Sequence, residues 1–252
     1  MVTRALSFGS RAADYERFRL GYPDELVDLV LAYAGRPVRT ALEIGAGTGK
    51  ATRVLAAHGV AVTATDPDPQ MLAELRRHVP ASVTTVCSTL EDLVPTTPFD
   101  LVVAAASLHW TDPEGRWGRI ASHLRPGGVV ASFGGPMSLA DPRVAADVAA
   151  AAAPHVADPD VPSPDGTPPE AAVQWPGTEL LATPRFTDVR QHRFGRRLSM
   201  AARDVVDHLS TLSSYLVLET SLRRKVLERV LDVLPERVEM NADIWLHLAR
   251  RA

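Results

Sequence analysis

The stretch Ala41-Leu42-Glu43-Ile44-Gly45-Ala46-Gly47-Thr48-Gly49-Lys50 has the residue types and spacing best suited to chemistry in this chain. An apolar run leads into three glycines at alternate positions, and a helical pattern follows. Glycine removes side chains and permits backbone angles closed to other residues, so a ligand can lie against the main chain. The helix start beyond it offers unpaired N–H groups. Spacing separates the ligand classes that use such a loop. The dinucleotide fingerprint G-x-G-x-x-G needs glycine at position 50, where Lys50 stands. A phosphate-cradling P-loop needs glycine at position 44 and Ser or Thr at 51, and these are Ile44 and Ala51. The remaining pattern is acid-x-Gly-x-Gly-x-Gly.

A second acid reinforces it. Asp66 ends the run Val62-Thr63-Ala64-Thr65, 23 residues after Glu43, where a carboxylate can accept hydrogen bonds from both hydroxyls of a ribose. Asp68, just before the next helical pattern, suits a helix cap better. Met71, one turn into that helix, is a flexible thioether that can pack against an adenine face or fill core. Thr89-Leu90-Glu91 either borders the adenine amino edge or is an ordinary polar loop. His109 follows the fourth apolar run, and histidine titrates near neutrality, so it is the catalytic candidate as a general base; the alternative is a pocket-wall role with Trp110. Trp110 could also face a sulfonium or a cationic substrate. The histidines are scattered, with no pair at metal-ligand spacing, so no metal is expected.

These groups need a scaffold that brings strand ends together. Strand patterns fall at Thr40–Ile44, Val60–Thr65, Val83–Cys87, Leu101–Ala105 and Val129–Phe133, with helical patterns at Asp24–Ala34, Lys50–His58, Gln70–His78 and Glu114–His123. The alternation predicts a parallel sheet covered by helices. Right-handed crossovers then put the strand C-termini on one edge, where open α/β sheets bind ligands. After Gly135 the rhythm changes. Ala145–Ala153 reads as a helix, Pro154–Pro176 as an irregular excursion with seven prolines, and Ala202–Leu218 and Ser221–Leu234 as helices. Asp188–Leu198 and Asp243–Ala249 could form a closing antiparallel pair. The expected organisation is one domain: a cofactor core over 1–135, an acceptor-side cap over 140–234 whose proline-rich part acts as a lid, and a closing strand over 241–252.

With these residues in hand, the chain resembles the class I S-adenosylmethionine-dependent methyltransferases, in the branch that includes trans-aconitate methyltransferase. The likeness is carried by the glycine loop and Asp66, and by Phe8-Gly9-Ser10 through Ala12-Ala13-Asp14-Tyr15-Glu16-Arg17 and Arg19-Leu20-Gly21-Tyr22-Pro23. Phe99-Asp100-Leu101-Val102, Ser107-Leu108-His109-Trp110 and Leu124-Arg125-Pro126-Gly127-Gly128 extend it. It covers Phe8 to about Phe133 and returns weakly at Ser210–Tyr215 and in the last strand; Asp141–Leu181 departs from it. The resemblance implies an α/β, Rossmann-like, seven-stranded, mostly parallel sheet with a helical, proline-rich cap, and S-adenosyl-L-methionine as cofactor. Gly45, Ala46 and Gly47 would hug its methionine part, flanked by Glu43, Thr48 and Ala105. Asp66 and Pro67 would border the ribose, and Met71 with Thr89 to Glu91 the adenine. Tyr15 and Arg19 would close over the cofactor, and Tyr22, His109 and Trp110 would meet the acceptor, with His155, His208, Ser213 and Tyr215 as further pocket candidates. The alternative is an enzyme of this fold that keeps the cofactor but catalyses a cyclisation or rearrangement.

Bulk properties narrow the partners. A length of 252 residues suits one elaborated α/β domain, and a net charge of −3 gives no reason to expect nucleic acid. The densest basic runs, Arg223-Arg224-Lys225 and Arg196-Arg197, read as a solvated helix face and strand end. Cys87 is the only cysteine, which rules out a disulfide within the chain. With no signal-like or membrane-length apolar run, the expectation is a cytoplasmic monomer or homodimer acting on a small-molecule acceptor. The Ala, Arg and Pro bias points to a high-GC bacterial source and fits natural-product biosynthesis.

Overall fold

Strand alternation sets the two faces of the sheet. A computed structural model describes residues 8–156 and 163–252. Its first half runs α1 (Ala12–Phe18), α2 (Asp24–Ala34), β1 (Thr40–Ile44), α3 (Lys50–Ala57), β2 (Ala61–Asp66), α4 (Pro69–Leu75), β3 (Thr84–Cys87), β4 (Phe99–Ala105), α5 (Arg116–His123) and β5 (Leu124–Gly134). The second half contains β6 (Ser138–Leu139), α6 (Pro142–Ala152), α7 (Gly177–Ala182), β7 (Phe186–Phe194), β8 (Arg197–Ala201), α8 (Ala202–Ser210), α9 (Ser213–Leu216), α10 (Thr220–Val233), β9 (Arg237–Asn241) and β10 (Ile244–Arg251). Seven strands form one sheet in the order β3-β2-β1-β4-β5-β10-β7. The first five are parallel, and β10 pairs antiparallel with both β5 and β7. This is the helix-covered parallel sheet the alternation predicts, in the seven-stranded, Rossmann-like form the resemblance implies.

Period-two alternation sends Ala41, Val62, Leu101 and Val103 to one face, under Leu26 and Val30 of α2, Leu55 of α3 and Leu72 of α4. Leu42, Ile44, Val102 and Val130 face the other way, against Trp117 and Ile120 of α5 and Leu180 of α7. With both faces covered, the strands can be apolar throughout, as Leu101-Val102-Val103-Ala104 is. No helix among the described residues is long and apolar enough to cross a membrane.

Beyond β5 the structure corrects several expectations. β6, β9 and β8 make a second, antiparallel sheet of three strands that the sequence pattern does not announce. Asp188–Leu198 is not one strand. It turns at Gly195–Arg196, where the Arg196 amide donates to the Asp243 carboxylate (2.9 Å) instead of extending the ladder. The helix expected over Ala202–Leu218 breaks at Thr211–Leu212, because the Ser210 and Thr211 hydroxyls donate back to the carbonyls of Asp207 and His208 (2.7 and 2.6 Å).

The expected cap over 140–234 also divides. α6, α9 and α10 form their own core around Val148, Tyr215, Val226 and Val230, while α8 packs with β8 and β9. β7 and α7, within the same range, belong to the main sheet and its covering layer. The proline-rich excursion falls partly on residues 157–162, outside the described residues. Its described part is bonded to α7 and β7. Asp165 accepts from the Thr167 amide (2.9 Å) and from the Thr178 hydroxyl, and the Gln174 amide donates to Gln191 Oε1 (2.6 Å) on β7. Those bonds fasten it to the sheet face that α7 covers.

Candidate functional site

The C-terminal ends of β1, β2 and β4 converge where the chain carries its glycine loop. Gly45 and Gly47 both have positive φ, +64° and +57°, which side-chain-bearing residues avoid. A Cβ on Gly45 would lie 2.6 Å from that of Ser107, so absence of a side chain is what lets the loop close on the turn after β4. At Gly47 the space is open, bounded by the Met71 Cε at 3.5 Å. The Ala46 amide donates to the Thr65 carbonyl (2.8 Å), and the Gly47 amide donates to Asp66 Oδ2 (2.9 Å). Loop and β2 tip are therefore one unit.

Asp66 accepts a second backbone bond on Oδ1, from the Asp68 amide (2.9 Å). Each oxygen keeps a free lone pair. Burial pushes its carboxyl up to about 6, against the pull of the two amides. Asp68 caps α4 through the Gln70 amide (2.8 Å), as its position before the helix suggests. Glu43 is 1% exposed, and burial pushes its carboxyl up to about 8. Its Oε2 accepts from Thr52 (2.6 Å), while Oε1 is buried without a partner. An orphaned buried carboxyl oxygen beside an open backbone cradle fits a ligand with a polar, cationic head.

The other sequence candidates sort into three groups. Tyr15, Arg19 and Tyr22 gather over the loop from the N-terminal segment: Arg19 stacks on the Tyr15 ring, and the Tyr22 ring meets Phe133 edge-on at 4.8 Å. Burial raises the phenols of Tyr15 and Tyr22 above the usual range and lowers the pKa of Arg19. Arg19 donates to the hydroxyl and carbonyl of Thr211 (2.9 and 3.1 Å) and has no carboxylate partner among the described residues. His109 and Trp110 occupy a single helical turn after β4, their rings 4.7 Å apart. His109 is exposed at the surface. The protein packed around it, with Arg116 near, lowers its pKa to about 4, so it is neutral at pH 7. Ala105 ends β4 beside Phe133.

In the third group the side chains are engaged elsewhere. Thr48 donates to Glu16 (2.7 Å), Thr89 donates to Asp92 (2.8 Å), Leu90 lies in the core beneath α5, and Glu91 accepts from the Asp112 amide (2.8 Å). Pro67 is half-buried and its carbonyl accepts from Cys87. Among the further pocket candidates, Tyr215 is buried in the helical core and His155 is exposed beyond α6. Ser213 opens α9. His208 is buried against the Phe18 carbonyl (3.3 Å), and burial with Arg19 nearby lowers its pKa to about 4.

Sequence reasoning missed four residues. Glu16 receives Arg53 bidentately (2.9 and 3.0 Å) along with Thr48, and Lys50 donates to its carbonyl (2.8 Å), so the lysine that breaks the dinucleotide spacing is an anchor for α1. Ser107 donates to the Ile44 carbonyl and ties the β4 turn to the loop. Arg116, 2% exposed, donates to the side chain and carbonyl of Thr111 (2.7 and 2.9 Å) and to Glu179 (3.0 Å), which also accepts from Trp117 and Trp175 (2.8 and 2.9 Å). That cluster fixes the His109–Trp110 turn from beneath. Only Glu16, an acid on a helix facing a basic one, had a signal to read; the Arg116–Glu179 pair spans 63 residues.

A parallel sheet with this strand order, a glycine turn after β1 and an acid at the tip of β2 define the class I S-adenosylmethionine-dependent methyltransferase fold. Residues 42–132, from β1 through β5, match the family model described as a methyltransferase domain, so the likeness in sequence falls on the strands and turns that build this site. An uncharacterized methyltransferase of Mycobacterium tuberculosis is 42% identical over 124 residues, 49% of this chain and 50% of the relative. A trans-aconitate 2-methyltransferase of an Acidovorax species is 31% identical over 120 residues, 46% of each. The chain thus spans about half the length of the curated relatives it matches. A putative type II methyltransferase from Anaeromyxobacter dehalogenans shares the fold across 92% of this chain and 98% of its own, with a TM-score of 0.61 and 24% identity.

Proposed function

We propose that this chain transfers a methyl group from S-adenosylmethionine to a small-molecule acceptor, with oxygen the favoured methylated atom. The observation that carries the reading is the Gly47–Asp66 hydrogen bond, which makes the glycine loop and the acid one cradle. When bound, the cofactor supplies an electrophilic methyl whose bond to sulfur breaks as its bond to the acceptor forms, leaving a neutral thioether.

The task of the chain is alignment, worth roughly 7–11 kcal/mol in favourable intramolecular cases. Asp66 would hold ribose hydroxyls on the lone pairs its two amides leave free. Gly45 to Gly47 would allow close approach, Glu43 Oε1 would meet the cationic amine, and Arg19 is suited to a carboxylate. His109, neutral at pH 7, would take the proton of a hydroxyl acceptor on an imidazole nitrogen; a carboxylate acceptor needs no base. α6, α8, α9 and α10, with the small sheet, are the proposed acceptor-side cap. The name of the Acidovorax relative favours a small acceptor, and the mycobacterial relative agrees with a bacterial setting.

Incubation with methyl-labelled cofactor and a panel of hydroxyl and carboxylate compounds tests the reading. One S-adenosylhomocysteine should form per labelled product. Tight cofactor binding with unlabelled rearranged products would overturn it. For a hydroxyl acceptor, His109→Ala should lower kcat by about 100-fold at unchanged cofactor affinity. The deficit should narrow as pH rises and the acceptor ionises unaided; a pH-independent deficit makes His109 a wall.

A further inference from the structure

The two sheets are joined by three short crossings: Gly135–Met137 between β5 and β6, Gly195–Arg196 between β7 and β8, and Ala242–Asp243 between β9 and β10. A cavity of about 390 Å³ opens where they pass, within the range of small-molecule sites. Its lining is chemically lopsided. Arg193, Arg196 and Arg197 face it with Asn241 and Trp245, and Asp243 is its sole carboxylate.

The partners of these groups determine what is left over. The Asp243 carboxylate accepts the Arg193 Nε (2.8 Å) and the Arg196 amide (2.9 Å), so Arg193 is neutralised, its guanidinium carbon 5.5 Å from the centre of the Trp245 ring. The Arg196 guanidinium makes a single bond, from Nη1 to the Gly21 carbonyl (3.0 Å). The Arg197 guanidinium has no hydrogen-bond or ion-pair partner among the described residues. Two guanidinium forks beside an Asn amide, in a concave wall, match a small oxyanion better than any neutral solute.

The location ties the cavity to the methyl-transfer site. Gly21 precedes Tyr22, whose ring packs on Phe133, and the Phe133 carbonyl accepts the Ala106 amide (2.7 Å) two residues after Ala104 and one before the Ser107 turn. The cavity therefore lies on the same sheet edge as the His109 turn, beyond β5 in the strand order. We propose that the cavity at the three crossings is an oxyanion subsite, in which Arg196 and Arg197 hold a carboxylate or phosphate group of the acceptor while its other end reaches the His109 side. Calling the anion an acceptor rests on the methyl-transfer reading above. The basic pair Arg196-Arg197, expected from sequence as a solvated strand end, becomes the determinant of acceptor charge.

Calorimetric titrations at fixed ionic strength with citrate and with inorganic phosphate test the site, and the two probes separate carboxylate from phosphate preference. Saturable binding of at least one probe is expected, weakened roughly tenfold or more in Arg197→Gln, the loss of one charged hydrogen-bonding group. Arg196→Gln/Arg197→Gln should abolish it. Arg197→Gln removes no bond the fold uses, so misfolding is not in question for that variant. Absence of saturable binding in the native chain, or equal binding in Arg197→Gln, overturns the proposal. S-adenosylmethionine titrated into the same proteins keeps the two readings apart: if the cofactor fails to bind while the anion binds, the methyl-transfer reading falls and the oxyanion site stands. With an anionic acceptor in hand, Arg197→Gln should raise KM by a similar factor and leave kcat nearly unchanged.

Discussion

The glycine-loop half and the crossing half of this molecule are built by different means. Around β1, β2 and β4 the functional groups are placed by neighbours in register: Glu43 beside Ala64 and Val103, and Asp66 within one bond of Gly47. In the second half they are placed by contacts across the whole chain. Arg19 reaches Thr211 192 residues on, and Arg196 reaches Gly21 175 residues back. The contrast teaches that the glycine-loop cradle is written locally, while the half beside it is fixed by pairs that do not know each other's sequence neighbourhood.

That contrast can be broken by mutation. The largest effect is expected from Gly47→Val. A Cβ there would meet only Met71 Cε, at 3.5 Å, so the side chain would stand in the cradle itself and should cost more than ~100-fold in cofactor affinity by calorimetry, beyond the strain of a β-branched residue at positive φ. Asp66→Ala comes next, weakening cofactor binding by about 1–3 kcal/mol. Unchanged affinity in either variant, with the fold intact by circular dichroism, would remove the local cradle.

Thr211→Val probes the other half. It deletes one of the two bonds to Arg19 and should lower stability to urea by about 1 kcal/mol and raise acceptor KM, with cofactor affinity changed less than in Asp66→Ala. A larger loss of cofactor affinity than of stability would erase the distinction between the halves. A pH-dependent effect concerns Glu43. Burial pushes its carboxyl from the ordinary 4.5 up to about 8, so the neutral form favours the folded state. That contribution is complete below pH 4.5 and is lost as pH rises through about 8. Glu43→Gln should flatten the decline in urea stability across this window. An unchanged slope would mean the carboxyl is not desolvated.

Legibility followed the same division. The bounds of β1 and α2 and the Asp68 cap could be read because hydrophobic period and capping are local signals. The small sheet could not, since β6 is two residues long and Arg237–Asn241 shows no run distinct from its surroundings. Gly195–Arg196 concealed a change of sheet because its cause, the Asp243 carboxylate, lies 47 residues away. The same holds for candidate site residues. Gly47 and Asp66 announce themselves by spacing. Thr48 and Glu91 looked equally available, yet Glu16 and Asp112 occupy them, and nothing in the adjoining residues says so.

The three crossings also have a mechanical meaning. The Arg196 amide binds Asp243, and the Ala242 amide donates to the Arg196 carbonyl (2.9 Å), so two of the three strands are laced together where they change sheets. A Cβ on Gly135, in the third, would collide with the Asp243 carbonyl, so that strand passes flush against the pair. Three closely spaced straps resist sliding and stretching far more than they resist tilting. The bonds from Arg19 to Thr211 and between His208 and the Phe18 carbonyl then brace the small sheet's helix against tilting, and amide hydrogen exchange at Arg196 and Ala242 would report how firmly that spine is sewn.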